Sequence, residues 1–153
     1  MNKLDAATFA NDTASFFQQI AVRIGTYLHE NAASLGKTEY SMLTDDQARL
    51  ISYSNTFFTL SDQIAFEGAD EYFQKVSSAT ADINKAIITI DNTNQIVNLA
   101  AGVIGLAAGI LTRSGGSITS SLEAIAGAVS SLKKNAGSKG FAARKNKPKK
   151  RKK

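Results

Sequence analysis

Six aliphatic residues fall at a strict seven-residue interval: Val76, Ile83, Ile90, Val97, Ile104 and Leu111. Only a helix keeps every seventh residue on one face over such a distance. Phe73, Ala79, Ala86, Ile87, Ala100, Ala101, Ala107 and Ala108 fill flanking positions of the same apolar stripe. The repeat predicts one long central helix over about 70–112, roughly 60 Å at ~1.5 Å per residue. So long a helix has more surface than one small core can cover. The pattern therefore predicts an all-α, elongated, coiled-coil-like bundle.

The rest of the body agrees with an all-helical fold. It has neither proline nor cysteine, since the chain's one proline is Pro148 in the C-terminal segment. Phe9, Phe16, Phe17, Ile20, Ile24, Tyr27 and Leu28 recur at helical spacing and predict an amphipathic helix over 4–32, stopped near Gly36. Thr44-Asp45-Asp46-Gln47 fits a capping box and predicts the next helix start. Leu50, Phe57 and Ile64 then repeat every seven residues, and Glu67-Gly68-Ala69-Asp70 predicts a break. Of the aromatics before residue 74, which also include Tyr40, Tyr53, Phe58, Phe66 and Tyr72, helical spacing places most in the core.

Residues 92–122 carry a single charge, Arg113. From Ile96 to Leu111 the chain is apolar all round apart from Asn98, so it must be buried in protein or in lipid. Ala101, Gly105 and Gly109 make small-xxx-small steps, the pattern that lets helix backbones approach closely in membranes. Arg113-Ser114-Gly115-Gly116 breaks this helix. Ser120-Ser121-Leu122-Glu123 fits a second capping box and opens a short helix to about Lys134, with Leu122, Ile125, Val129 and Leu132 on one face. A loop of about seven residues makes the two segments antiparallel neighbours. The result is an apolar Gly/Ala-rich hairpin over about 96–132. Its candidate packing or membrane residues are Val97, Ala101, Ile104, Gly105, Ala108, Gly109, Leu111, Leu122, Ile125 and Val129. In layout, residues 70–135 resemble the helical pore-forming toxins and pore-forming colicins. That resemblance implies a hairpin held among amphipathic helices until it inserts, here in a small subunit of a multi-component assembly.

Charge divides the chain at residue 133. Residues 133–153 hold eleven basic residues and no acid, leaving seven of the 18 basic residues and all 13 acids in 1–132. A helical domain over 1–135 therefore precedes a polybasic tail over 136–153, expected to be disordered because it has too little to bury. Lys145, Lys147, Lys149, Lys150, Arg151, Lys152 and Lys153 are the candidate contacts to an anionic partner. An anionic membrane is the leading partner and nucleic acid the runner-up. Lys147-Pro148-Lys149-Lys150-Arg151-Lys152-Lys153 is also similar to a monopartite nuclear import signal. Phe141 is the sole aromatic of this segment, so nucleic-acid binding is expected to be non-specific.

Enzymatic chemistry is not expected. The single histidine, His29, lies in an amphipathic pattern beside Tyr27 and Leu28. Neither a thiolate site, a multi-histidine site nor a glycine-rich phosphate loop can be built from these residues. No metal, cofactor or small-molecule substrate is expected. Asp5 and Asp12 interrupt the N-terminal segment, so no cleaved signal peptide is expected and the sequon Asn11-Asp12-Thr13 is discounted. Synthesis in the cytoplasm follows, with membrane association or signal-independent export afterwards. The leading function is membrane association through the hairpin and tail. The alternative is a self-associating structural or adaptor bundle whose tail binds nucleic acid. Homo- or hetero-oligomers through helical faces fit either.

Overall fold

The first amphipathic stretch forms α1, Lys3–Asn31, one residue offset from the expected bounds. It is followed by α2 (Lys37–Leu60), a 3-10 turn (Ser61–Ile64), α3 (Ala69–Ala86), α4 (Thr93–Leu111) and α5 (Gly115–Lys145). These come from a computed structural model that describes residues 3–64, 66, 68–87 and 92–145, with the backbone alone for 3, 4, 61, 62, 133 and 135–145. Among the described residues the fold is an all-α helical bundle with no strand.

α1 and α2 run antiparallel, and two side-chain bonds fix their register. Ser54 Oγ donates to the Ala14 carbonyl at 2.8 Å in the buried interior. Two turns away, Gln47 Nε2 donates to the Ala21 carbonyl at 3.1 Å. A β-carbon on Gly25 would lie 2.7 Å from that nitrogen, so the small residue opens the path across. Leu50, Phe57 and Ile64 are buried, as their seven-residue spacing predicts. Phe17 meets Phe57 edge-on at 5.0 Å, and Phe9 stacks on Phe73 at 3.9 Å, joining α1 to α2 and α3. Among the aromatics before residue 74, Tyr40 and Phe58 are the two exposed ones, both on α2.

The break expected near residue 68 is observed. Gly68 adopts φ +78°, open to glycine at little steric cost, and α3 starts at the next residue. The single helix over 70–112 is not observed: α3 ends at Ala86 and α4 begins at Thr93. Asn92 is the reason. Its backbone is extended, and its side chain accepts from the Gln95 amide at 3.0 Å, capping α4. The restart resets the helical phase. Val76 and Ile83 are buried, but the later heptad positions Val97, Ile104 and Leu111 are only partly so. Their neighbours Ile96, Val103 and Ile110 take the core positions. Ile90 lies outside the described residues.

Both expected capping boxes are overridden. Thr44 lies inside α2, where its hydroxyl donates back to the Tyr40 carbonyl at 2.8 Å. Ser120 lies inside α5, which begins five residues earlier behind Ser114, whose Oγ accepts from the Ser117 amide at 3.3 Å. Gly115 and Gly116 are therefore helical, and the linker is Thr112–Ser114 rather than seven residues. The helix also passes its expected end at Lys134 and continues to Lys145.

Candidate functional site: the α4 and α5 pair

α4 contains nineteen residues, none of them charged, with a mean hydropathy of 1.6. It is the one helix among the described residues long and apolar enough to cross a membrane, and more than half of that stretch is buried in the bundle. It ends in a Schellman turn. The Ser114 amide donates to Gly109 and the Arg113 amide to Ile110, at 3.0 and 3.1 Å. Arg113 occupies the left-handed position at φ 57°, which glycine usually takes. Its guanidinium reaches the Gln63 carbonyl at 3.4 Å.

This turn sends α5 back along α4 in one continuous antiparallel register, and glycines define the seam. A β-carbon on Gly102 would stand 2.9 Å from Ile125 Cγ1. One on Gly105 would stand 2.8 Å from Ser121 Oγ, and one on Gly109 would stand 3.0 Å from the Ile118 backbone nitrogen. Close approach is thus real at Gly105 and Gly109. The third member is Gly102, and Ala101 is exposed. Sequence reasoning missed it because a small-xxx-small pattern steps back by four from Gly105 to Ala101, whereas the packed face steps back by three to Gly102. Spacing the small residues at 102, 105 and 109 returns the true phase.

The other expected hairpin residues divide by face. Ile125 and Val129 are buried, with Leu122 and Ala108 partly so. Ile118, Ile96, Leu99, Val103, Leu106 and Ile110 complete the buried set. α5 turns Ser117, Thr119, Ser120, Glu123, Ser130 and Ser131 outward. Two contacts tie the pair to the other helices. Tyr27 Oη and Thr93 Oγ1 are 2.8 Å apart, linking the end of α1 to the first turn of α4. The Tyr72 hydroxyl of α3 stands where a β-carbon on Gly115 would be.

Of the anionic-partner residues, Lys145 ends the α5 backbone, and Lys147, Lys149, Lys150, Arg151, Lys152 and Lys153 lie outside the described residues. His29 is exposed near the end of α1. No family model matches the chain, and neither the curated proteins nor the solved structures yield a match.

Proposed function

We propose that this chain is a non-enzymatic membrane-associating protein, a subunit of a larger assembly, in which α4 and α5 enter the bilayer and the basic segment after residue 132 holds to anionic headgroups. The observation that supports this reading is α4 itself. Its nineteen uncharged residues extend about 28 Å, close to the ~30 Å hydrocarbon core. The glycine seam keeps α5 against α4 in a manner suited to lipid, where close backbone contact replaces hydrophobic association. Each Lys or Arg near an anionic surface adds about 1 kcal/mol of attraction.

Dye release from anionic vesicles tests the proposal. Ala101 is exposed at the middle of α4, so Ala101→Lys leaves the bundle intact. At the bilayer centre the same lysine costs about 3 kcal/mol. Ala101→Lys is expected to abolish release while leaving helicity unchanged. Insertion is refuted if only deletion of 136–153 removes lipid binding and changes in α4 do nothing.

The eleven basic residues without an acid also support the second reading, a bundle that binds nucleic acid through its C-terminal segment. Binding to RNA or DNA that falls steeply with salt, is indifferent to base sequence and disappears with 136–153 would favour it.

A further inference from the structure

The two bonds that fix the register of α1 and α2 also show which side of that pair is bare. Ser54 with Ala14, and Gln47 with Ala21, place Tyr40 level with Leu28 and Phe58 level with Ala10. At about 3.6 residues per turn, Tyr40, Ile51 and Phe58 fall within about 20° of one another around α2. Gln47 and Ser54 stand between them and the buried Leu43, Leu50 and Phe57. On α1, Val22 lies past Ala14 and Ala21 in the same sense, opposite the buried Ile20 and Ile24. All four therefore share the outer face of the pair, with exposures of 66% for Val22, 45% for Tyr40 and Ile51, and 41% for Phe58. α3 and α4 meet the pair from its other side, through the Phe9–Phe73 stack and the Tyr27–Thr93 bond.

This face is also free of charge. From Tyr40 to Phe58, and over the facing turns of α1, it carries no Asp, Glu, Lys or Arg. The apolar side chains are set among Asn11, Ser15, Gln18, Thr44, Ala48 and Asn55, all exposed. The nearest charges, Asp12 on α1 and Asp45 on α2, stand at its two long edges, and Lys37 and His29 lie past one end. An apolar centre without charge inside a charged rim is the anatomy of a protein–protein interface. The other large exposed apolar residue, Met42, is not part of it and lines the far edge of α2 with Asp45 and Arg49.

We propose that this face pairs with the same face of a second copy of the chain, giving a two-fold dimer around a four-helix layer of α1, α2 and their counterparts. Charge selects that occupant. A face of one sign needs a partner of the other, whereas an uncharged face meets its own copy without like-charge contact. The area suffices. The face runs about 27 Å along two helices that together are about 20 Å wide, so each copy contributes about 540 Å² in flat projection. The pair buries about 1,100 Å², above the ~1,000 Å² that a specific interface needs. The pairing also closes on itself. Ile51 stands within about 3 Å of the lengthwise midpoint and on the α1 side of α2, so a two-fold axis through the centre sets it beside its counterpart. Because α3 and α4 lie on the other side, the dimer leaves the α4–α5 pair as it is.

The test needs no lipid, so its failure is separable from failure of the membrane reading. In sedimentation the intact chain is expected to be a dimer that persists in about 500 mM salt, because no ion pair holds it. Ile51→Asp and Ile51→Lys should each weaken the dimer at least about a hundredfold, since each sets two like charges together at the centre. Circular dichroism should show both variants folded, because Ile51 is 45% exposed in the single chain. Mixed in equal amounts they should form a heterodimer, which only a face pairing with itself about Ile51 explains. Met42→Asp, an equally drastic change outside the face, should leave the dimer intact. A monomeric intact chain overturns the proposal and leaves the face to lipid or to a different protein. A dimer that dissociates in salt, survives both Ile51 variants, or is lost equally in Met42→Asp also overturns it, as does a mixture that stays monomeric.

Discussion

Two glycines of the α4–α5 pair should respond in opposite directions to the same change. Gly109 faces backbone: a β-carbon there would stand 3.0 Å from the Ile118 nitrogen and 3.2 Å from the Ser117 carbonyl carbon. Gly127 faces open space, with nothing within 4 Å. Alanine in a helix interior is favoured over glycine by about 1 kcal/mol, and that gain applies at both sites. At Gly127 it stands alone, so Gly127→Ala should stabilise the protein by about 1 kcal/mol. At Gly109 the added methyl meets atoms that cannot rotate away, and overpacking costs about 1–3 kcal/mol. The net result of Gly109→Ala is a loss of about 1 kcal/mol, separating the two variants by about 2 kcal/mol. For a chain of this size that corresponds to melting temperatures about 4–8 °C apart. Thermal unfolding followed by circular dichroism measures both. If Gly109→Ala melts at or above Gly127→Ala, the seam is not the tight contact described, and the glycines of α4 need another explanation.

Other positions make independent predictions. Arg113→Gly should stabilise by about 0.5–1 kcal/mol in urea unfolding, because glycine takes the left-handed position of the Schellman turn without strain. Loss of the long 3.4 Å bond to Gln63 offsets little of this gain. Asn92→Ala should cost about 1 kcal/mol by removing the α4 cap. Burial raises the Asp46 carboxyl above the ordinary aspartate range, Arg49 pulls it back, and Asp45 pushes it up again. The folded state thus holds that proton to higher pH than the unfolded state, and stability falls as pH rises through the window above the ordinary value. Asp46→Asn should therefore raise the melting temperature at about pH 7 and lose that advantage at about pH 3.

The helical class and the placement of α1 were legible because both follow from apolar spacing and the absence of proline. So was the break at Gly68, where composition and phase changed together. The division between α3 and α4 was obscured because six aliphatics kept seven-residue spacing across a true interruption. Asn92 and Gln95 stand at capping-box spacing, but asparagine within a helical pattern also reads as an ordinary polar-face residue. The boxes at Thr44 and Ser120 erred in the other direction. A capping residue is useful only at a helix end, and tertiary packing carried α2 and α5 through both sites. The glycine seam was two-thirds legible. Gly105 and Gly109 were identified from spacing, and Gly102 was lost because the four-residue step from Gly105 lands on Ala101, one residue off the packed face.

That restart also shapes what membrane entry would require. As one helix over 70–112, the apolar stretch could leave the core only by dragging α3 with it. As a separate helix beginning at Thr93, it can part from α3 while remaining against α5 through Gly102, Gly105 and Gly109. The contacts to be surrendered are then those with α1, α2 and α3, including the Tyr27–Thr93 bond and the approach of Tyr72 to Gly115. Most of the remaining surface given up is aliphatic, and lipid solvates it about as well as the bundle does. The exposed α5 serines and Glu123 have no such match in hydrocarbon. In the proposed mechanism, α5 therefore turns that face toward water or a partner helix and α4 turns toward lipid. Glu123→Leu makes the division measurable. It removes the costliest group of α5 in hydrocarbon while leaving the α4 seam untouched, so vesicle dye release should rise if α5 enters with α4. Unchanged release would mean that Glu123 never meets hydrocarbon, because α4 enters alone or because α5 keeps that face toward water.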